Sequence, residues 1–186
     1  MKTEQQYFEE ALPLENYMAQ MEVHQEKSYK VYENFKLPED DAFFALLREK
    51  RPHVLAITED WCGDAMVNNP ILRKVAEKGD FEVRCVYRDQ NLELMDRYLT
   101  NGGRSIPKYI FLSPEGEVLG TWGPRAPEIQ QFVTEERAKL PGKEDPQFEA
   151  QQNIFYSDLT QRFAESETFW GYVYQDLRNT LIKALK

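Results

Sequence analysis

The chain has 186 residues, which is enough for one hydrophobic core with extensions and short for two independent domains. Its 41% apolar and 13% aromatic residues exclude global disorder, and no apolar run is long enough to span a bilayer. The formal net charge of -9 disfavours binding to nucleic acid or to an anionic membrane surface, so we expect neither as a partner.

The first residues and the cysteine content indicate a reducing compartment. The sequence Met-Lys-Thr-Glu-Gln-Gln at the N-terminus lacks the apolar stretch of a secretory signal, so we expect a cytoplasmic location. Cys62 and Cys85 are too few for a disulfide scaffold. His24 and His53 lie far apart along the chain and form no cluster with the cysteines. We therefore expect no metal site and no bound cofactor.

Residues 1–52 indicate an N-terminal helical extension. Apolar residues recur among Glu, Gln and Lys between residues 4 and 34, a pattern that predicts helices interrupted near Pro13. Pro38 is followed by three acidic residues, which predicts the start of a further helix that runs to about residue 50. We expect this extension to pack on the core of the protein.

Residues 53–140 contain the pattern of an α/β core. Val54–Thr58 is a short apolar run rich in β-branched residues, which predicts a strand buried on both faces at the centre of its sheet. Residues 65–78 predict a helix kinked at Pro70. Residues 81–88 alternate between apolar and mostly charged side chains, which predicts a half-buried edge strand. A short helix is predicted over residues 91–101.

A hairpin and a helix complete the predicted core. Two short strands between residues 109 and 120 flank the turn Ser113–Gly116, which predicts a β-hairpin. Pro127 opens a helix that is predicted to end near Leu140, and the prolines and glycine after it mark a linker. Residues 141–186 carry many aromatic and aliphatic residues and are predicted to form a C-terminal helical extension that also packs on the core.

Segments within residues 53–139 resemble the motifs of thioredoxins, in the same order and at matching spacing. They are the Trp-Cys-Gly-Pro-Cys loop at Asp60–Ala65, the helix kink at Pro70–Leu72, the stretch after the second strand at Asp89–Asn91 and the cis-proline loop at Arg104–Pro107. The resemblance implies an α/β thioredoxin fold, with a central mixed sheet of about four strands flanked by helices and with N- and C-terminal helical extensions. The whole chain is also similar to a small group of thioredoxin-like proteins from Bacillus-type bacteria that share the Trp-Cys-Gly-Asp form.

Two positions depart from the thioredoxin pattern. Ala65 stands where a thioredoxin has its second, resolving cysteine, and Ala56 replaces the buried acid six residues before the first cysteine. A thioredoxin attacks a substrate disulfide with its first thiolate and breaks the mixed disulfide with its second thiol. The resemblance therefore implies a monothiol oxidoreductase, in which Cys62 forms mixed disulfides that a low-molecular-weight thiol or a partner protein resolves.

Cys62 is the predicted catalytic residue. Its expected position just before a helix N-terminus favours the reactive thiolate, whereas Glu59, Asp60 and Asp64 disfavour a further negative charge. The helix dipole contributes only about 0.3–1 kcal/mol at an exposed site, so these acids offset much of it. Cys85 alternates with apolar residues and is predicted to be a core residue. We expect no disulfide between the two cysteines.

The predicted substrate groove surrounds Cys62. Pro107 is expected to be cis and to shape the groove, with the backbone of the two residues before it free to pair with an extended substrate. Trp61 is expected to form a partly exposed wall. The groove residues are Trp61, Gly63, Asp64, Ala65, Ser105, Ile106 and Pro107. The expected partners are protein disulfides or mixed-disulfide proteins, together with the low-molecular-weight thiol.

Two other functions are compatible with these residues. The first is a non-catalytic thioredoxin-fold module that holds a protein partner through the cis-proline groove or the aromatic C-terminal extension. The second is an iron–sulfur protein similar to monothiol glutaredoxins, in which one cysteine from each of two subunits and small thiols hold the cluster. The chain has Ser105–Pro107 but lacks the Cys-Gly-Phe-Ser form, so the iron–sulfur function ranks third.

Overall fold

The computed structural model describes all 186 residues, which form nine α-helices around one five-stranded mixed sheet. The elements are, in chain order, α1 (Glu4–Glu10), β1 (Leu12–Pro13), α2 (Leu14–Ala19), α3 (Gln25–Asn34), α4 (Asp41–Lys50), β2 (His53–Thr58), α5 (Gly63–Gly79), β3 (Glu82–Tyr87), α6 (Leu92–Met95), β4 (Lys108–Leu112), β5 (Val118–Trp122), α7 (Pro127–Arg137), α8 (Phe148–Glu165) and α9 (Glu167–Leu185). None of these helices combines the length and the apolar composition that crossing a membrane requires.

The strands follow the order β1-β3-β2-β4-β5 across the sheet. β2 is parallel to β3 and antiparallel to β4, and β4 pairs with β5 as an antiparallel hairpin. In the register of the sheet, Ala56 of β2 lies opposite Cys85 on one side and Tyr109 on the other. β2 is therefore the central strand, as its apolar run predicts.

The prediction that residues 81–88 form an edge strand is wrong. β1 pairs antiparallel with β3, with Leu12 opposite Cys85 and Pro13 opposite Arg84. The sheet therefore has five strands, one more than expected. β1 has only two residues, and a segment so short has no alternation of side chains from which a strand could be predicted.

The helix predicted over residues 91–101 is much shorter in the structure. α6 contains only Leu92–Met95 and is preceded by a 3-10 turn. Asn101 has a left-handed backbone with φ of 51°, and Thr100 forms an isolated β-bridge with Gly103. A left-handed residue cannot continue a right-handed helix, so the predicted helix could not have included Asn101.

The sheet is covered on both faces by separate hydrophobic clusters. Alternate residues of β2 enter different clusters: Val54 and Ala56 join the larger one, whereas Leu55 and Ile57 join the smaller one. The larger cluster includes residues of α2 to α5 and α7 to α9, and the smaller one includes residues of α1 and α6. Both terminal extensions thus contribute side chains to the protein interior. Their buried aromatic residues include Phe8, Tyr17, Phe163, Trp170 and Tyr174.

Candidate thiol site

Cys62 is the N-cap residue of α5, four residues after the end of β2. Its Sγ is partly buried and donates a hydrogen bond to the carbonyl oxygen of Ile106 at 3.5 Å. The peptide bond between Ile106 and Pro107 is cis. The sulfur therefore lies between the first turn of α5 and the loop that leads into β4.

Burial raises the pKa of the Cys62 thiol to about 11, and the negative charge of Asp64 adds to this increase. The backbone N–H groups of Ala65 and Asp64 in the first turn of α5 lower its pKa by smaller amounts, as does the positive charge of Arg125. The start of α5 therefore does not outweigh burial and Asp64. At neutral pH the sulfur is almost entirely in the thiol form.

Of the three acidic residues near Cys62, Asp64 raises the pKa of its thiol the most. Oε2 of Glu59 accepts a hydrogen bond from the backbone N–H of Asp89 at 3.0 Å. Oδ2 of Asp60 accepts hydrogen bonds from two backbone N–H groups in the loop between α2 and α3, at 2.8 and 3.2 Å. Both carboxylates thus hold neighbouring segments in place, and Asp64 is the acid that acts most strongly on the sulfur.

Asp64 forms a two-pronged ion pair with Arg125. The two carboxylate oxygens accept hydrogen bonds from Nε and Nη2 of Arg125, each at 2.8 Å, and the two side chains are only 13% and 15% exposed. Burial raises the pKa of the Asp64 carboxyl group, and Arg125 opposes this effect. A bidentate pair of this geometry is characteristic of an ionised carboxylate, so we treat Asp64 as charged.

A buried hydrogen-bond network lies at the end of β2, beneath the Cys62 loop. Oγ1 of Thr58 lies 3.2 Å from the hydroxyl oxygen of Tyr17 and accepts a hydrogen bond from Nδ2 of Asn69 at 3.1 Å. The hydroxyl group of Tyr109 donates to Oδ1 of Asn69 at 2.6 Å. Because every member has a partner, the network joins α2, β2, α5 and β4 without leaving a buried polar group unsatisfied.

A cleft of about 710 Å³ opens beside Cys62. Its walls come from the Cys62 loop, the start of α3, the end of α7 and the middle of α8. α8 packs so closely on the loop that a Cβ atom added to Gly63 would lie 3.3 Å from Oγ1 of Thr160. The C-terminal extension therefore forms one wall of the candidate site.

The structure divides the predicted groove residues into three groups. Cys62–Asp64 and Trp61 line the cleft, and Trp61 is 48% exposed with the guanidinium of Arg88 5.0 Å from its ring centre. Ala65, by contrast, is buried in the first turn of α5 and is not part of the lining. Ser105–Pro107 also lie outside the lining, and only the carbonyl oxygen of Ile106 contacts the sulfur.

Sequence reasoning missed the cationic residues of the cleft. Lys27 belongs to α3, Arg125 precedes α7, and Arg137 is the last residue of α7. Lys27 and Arg137 are about a hundred residues apart along the chain, and the three cationic residues belong to no shared motif. They meet only because α3, α7 and α8 pack around the Cys62 loop, so no local signal in the sequence identifies them.

The second cysteine lies away from the cleft. Cys85 is buried in β3, as its alternation with apolar residues predicts, and both cysteines are free. Burial raises the pKa of the Cys85 thiol far above its usual range. No group of three or more His, Cys, Asp or Glu side chains is arranged to hold a metal ion.

Comparisons with known proteins bear on both the family and the fold. Residues 11–139, more than half of the chain, match the family model described as Thioredoxin. A crystal structure of a protein of unknown function from Pseudomonas aeruginosa has a TM-score of 0.69 and 15% sequence identity, with 99% of each chain covered. An HIV epitope-scaffold structure has a TM-score of 0.67 and 15% identity, with 97% of this chain and 98% of that chain covered. At this level of identity the two structures show the fold alone. No curated protein matches the sequence significantly.

Proposed function

Because the chain belongs to the thioredoxin family, we propose that it carries out thiol-disulfide exchange through Cys62 by a monothiol mechanism. The observation that carries the proposal is a partly exposed cysteine at the start of α5 that lines a cleft. No second thiol is available, because Ala65 occupies the resolving position and Cys85 is buried in β3. We also propose that the chain belongs to the Bacillus-type group with the Trp-Cys-Gly-Asp form. A cytoplasmic location, where small thiols are present, is part of the same proposal.

The proposed reaction consists of two exchange steps. The Cys62 thiolate attacks one sulfur of a disulfide R–S–S–R′, so that the Cys62–S–S–R bond forms and R′–S⁻ leaves. A thiolate R″–S⁻ then attacks the sulfur of R, so that R–S–S–R″ forms and the Cys62 thiolate leaves and takes up a proton. One disulfide is consumed and one is produced, so no further oxidant or reductant is needed.

The raised pKa of the Cys62 thiol limits the rates of both exchange steps. At pH 7 a thiol with a pKa of about 11 is thiolate in only about one molecule in 10⁴. The greater nucleophilicity of a basic thiolate recovers part of this loss, and the net rate is roughly 100-fold below that of a thiol with a pKa near 7. Cys62 is also a poor leaving group for the same reason. We therefore propose a protein that holds a thiol in a long-lived mixed disulfide instead of a fast reductase.

The cis-proline side of Cys62 supports a role for protein disulfides as partners. The backbone N–H groups of Ser105 and Ile106 form no hydrogen bond within the protein. Of the two residues only Ser105 is partly exposed, and its free N–H group can pair with an extended peptide that carries the reacting disulfide. Trp61, with about half of its surface exposed, offers an apolar contact to the same peptide.

Intact-mass spectrometry with 2-hydroxyethyl disulfide tests the proposed function. At about pH 8.5 the native protein is expected to gain one mercaptoethanol adduct, which an excess of free thiol removes. Cys62→Ser is expected to gain none, and Cys85→Ala is expected to behave like the parent. If the native protein stays unmodified up to about pH 10 while the unfolded chain reacts, the monothiol function is wrong.

A non-catalytic binding module is the second candidate, and the raised pKa of Cys62 is the observation that favours it. Affinity capture with the parent and with Cys62→Ser distinguishes the two functions. Under the monothiol function, a protein captured by the parent is released by reducing agent and is absent from Cys62→Ser. A protein captured equally by both, and retained under reducing conditions, supports the binding module.

A further inference from the structure

The cleft beside Cys62 is cationic in a chain whose net charge is -9. Its lining includes Lys27, Arg125 and Arg137, together with His24, but only one acidic residue, Asp64. Asp64 is already neutralised by Arg125. Lys27 and Arg137 form no ion pair anywhere in the protein. The cleft therefore has two positive charges without counter-charges.

These two charges come from different helices, and α8 supplies neutral polar groups between aromatic ones. Lys27 is in the first turn of α3, and Arg137 is at the end of α7, where it donates a hydrogen bond to the hydroxyl oxygen of Tyr156 at 3.4 Å. The hydroxyl group of Thr160 lines the same wall. A molecule in the cleft would thus meet positive charge, hydrogen-bonding hydroxyl groups and the sulfur of Cys62 together.

We propose that this cleft binds a small thiol, or its disulfide, that carries at least two anionic groups. The inference rests on the proposed function and names the external thiol of that reaction. A volume of about 710 Å³ lies within the range of pockets that enclose small molecules. Two uncompensated cations in such a pocket attract an anionic ligand and disfavour a cationic one.

The two exchange steps then involve one kind of ligand. The Cys62 thiolate attacks the ligand sulfur of a disulfide between a protein and the ligand, the Cys62–ligand disulfide forms, and the protein leaves as its thiolate. A second ligand thiolate then attacks the ligand sulfur of the Cys62–ligand disulfide, so that the ligand disulfide forms and the Cys62 thiolate leaves and takes up a proton. The anionic groups of the ligand stay with Lys27 and Arg137 through both steps.

Two chromogenic disulfides of different charge test the ligand class. One is 5,5′-dithiobis(2-nitrobenzoate), which carries two carboxylates, and the other is the uncharged 4,4′-dithiodipyridine. The double variant Lys27→Gln/Arg137→Gln is expected to lower the ratio of the anionic to the uncharged rate by about three- to tenfold. Because the ratio is compared, a change in the reactivity of Cys62 itself cancels. Cys62→Ser gives the background from Cys85.

The matched control is Lys30→Gln/Lys139→Gln. Lys30 is also on α3, Lys139 follows α7, neither lines the cleft, and the change in net charge is the same. This control is expected to keep the parent ratio within about twofold. If both double variants lower the ratio equally, the effect is one of overall charge, and the proposed ligand site is wrong.

A binding experiment in which no disulfide exchange occurs distinguishes failure of this inference from failure of the proposed function. Mercaptosuccinate, a thiol with two carboxylates, is titrated into Cys62→Ser, and binding is measured by calorimetry. The same titration is made with the triple variant Cys62→Ser/Lys27→Gln/Arg137→Gln. Saturable binding that the triple variant loses supports the anion site, even if the parent forms no mixed disulfide. The absence of saturable binding to Cys62→Ser overturns the site while leaving the mixed-disulfide test of Cys62 unaffected.

Discussion

Replacing Asp64 by asparagine should make Cys62 more acidic. Asparagine keeps the size of the side chain, removes the negative charge that raises the pKa of Cys62, and leaves the positive charge of Arg125 without a counter-charge. One unit charge at a distance on the order of 6 Å contributes about 3 kcal/mol at an effective dielectric constant of about 20, which equals about two pKa units. Solvent in the open cleft reduces this value. We therefore expect the pKa of Cys62 to fall by about one to two units.

The change in pKa translates into a smaller change in rate. At neutral pH the thiolate fraction of Cys62 rises by about tenfold to a hundredfold, while the nucleophilicity of each thiolate falls. The net rate of exchange with 4,4′-dithiodipyridine is expected to rise by about three- to tenfold. The full pH profile of iodoacetamide alkylation, with Cys62→Ser as the blank, reports the shift of the midpoint directly.

Asp40→Asn is the matched control for this prediction. Asp40 forms a similar ion pair with Arg178, with 16% and 28% of the two side chains exposed, and neither residue lines the cleft. Both variants lose an ion pair of comparable burial, so their melting temperatures should fall similarly, but only Asp64→Asn should move the alkylation midpoint. A midpoint that stays near pH 11 in Asp64→Asn would refute the role assigned to Asp64.

Three further predictions concern the same molecule. Ala65→Cys should create a dithiol with Cys62 and raise the rate of insulin reduction above that of the parent. If the variant forms its new disulfide without gaining activity, the site is unsuited to reductase chemistry. Deletion of residues 147–186 should lower the melting temperature or cause aggregation, because α8 and α9 contribute side chains to the larger hydrophobic cluster. Calorimetry and size-exclusion chromatography measure both effects. A deletion variant that stays monomeric with unchanged stability would contradict this packing role. The folded pKa of Cys62 is raised from the ordinary 9.0 to about 11, so the folded state binds the proton more tightly than the unfolded one. This contribution to stability is complete below about pH 9 and is lost as the pH rises toward 11. The melting temperature of the parent should therefore fall more steeply over this pH range than the melting temperature of Cys62→Ala. Parallel curves of melting temperature against pH would be inconsistent with the raised pKa.

The sequence predicted those parts of the fold that short segments encode by themselves. Val54–Thr58 carries apolar residues at every position but the last and is rich in β-branched residues, which is typical of a strand buried on both faces. The position of Cys62 before a helix and the burial of Cys85 also follow from local pattern, because helix starts and strand alternation have short-range signals.

The charges of the site could not be predicted in this way. Glu59, Asp60 and Asp64 look alike along the sequence, and their different effects on Cys62 depend on partners in other segments. The cleft itself depends on long-range packing, since Lys27 comes from α3 of the N-terminal extension, Arg137 from α7 of the core and a further wall from α8 of the C-terminal extension. Contacts between segments far apart in the chain have no periodicity that a single sequence reveals.

The two-residue strand β1 also limits how the sheet can grow. The outermost strand of a sheet ordinarily presents a row of amide and carbonyl groups on which a foreign strand can assemble, and such templates lead to fibres and to exchanged dimers. Here that row is two residues long, and Pro13 has no amide hydrogen to offer. An incoming chain could gain at most one amide donor, from Leu12, before it met the helices on either side. The N-terminal extension thus closes this border of the sheet against self-association.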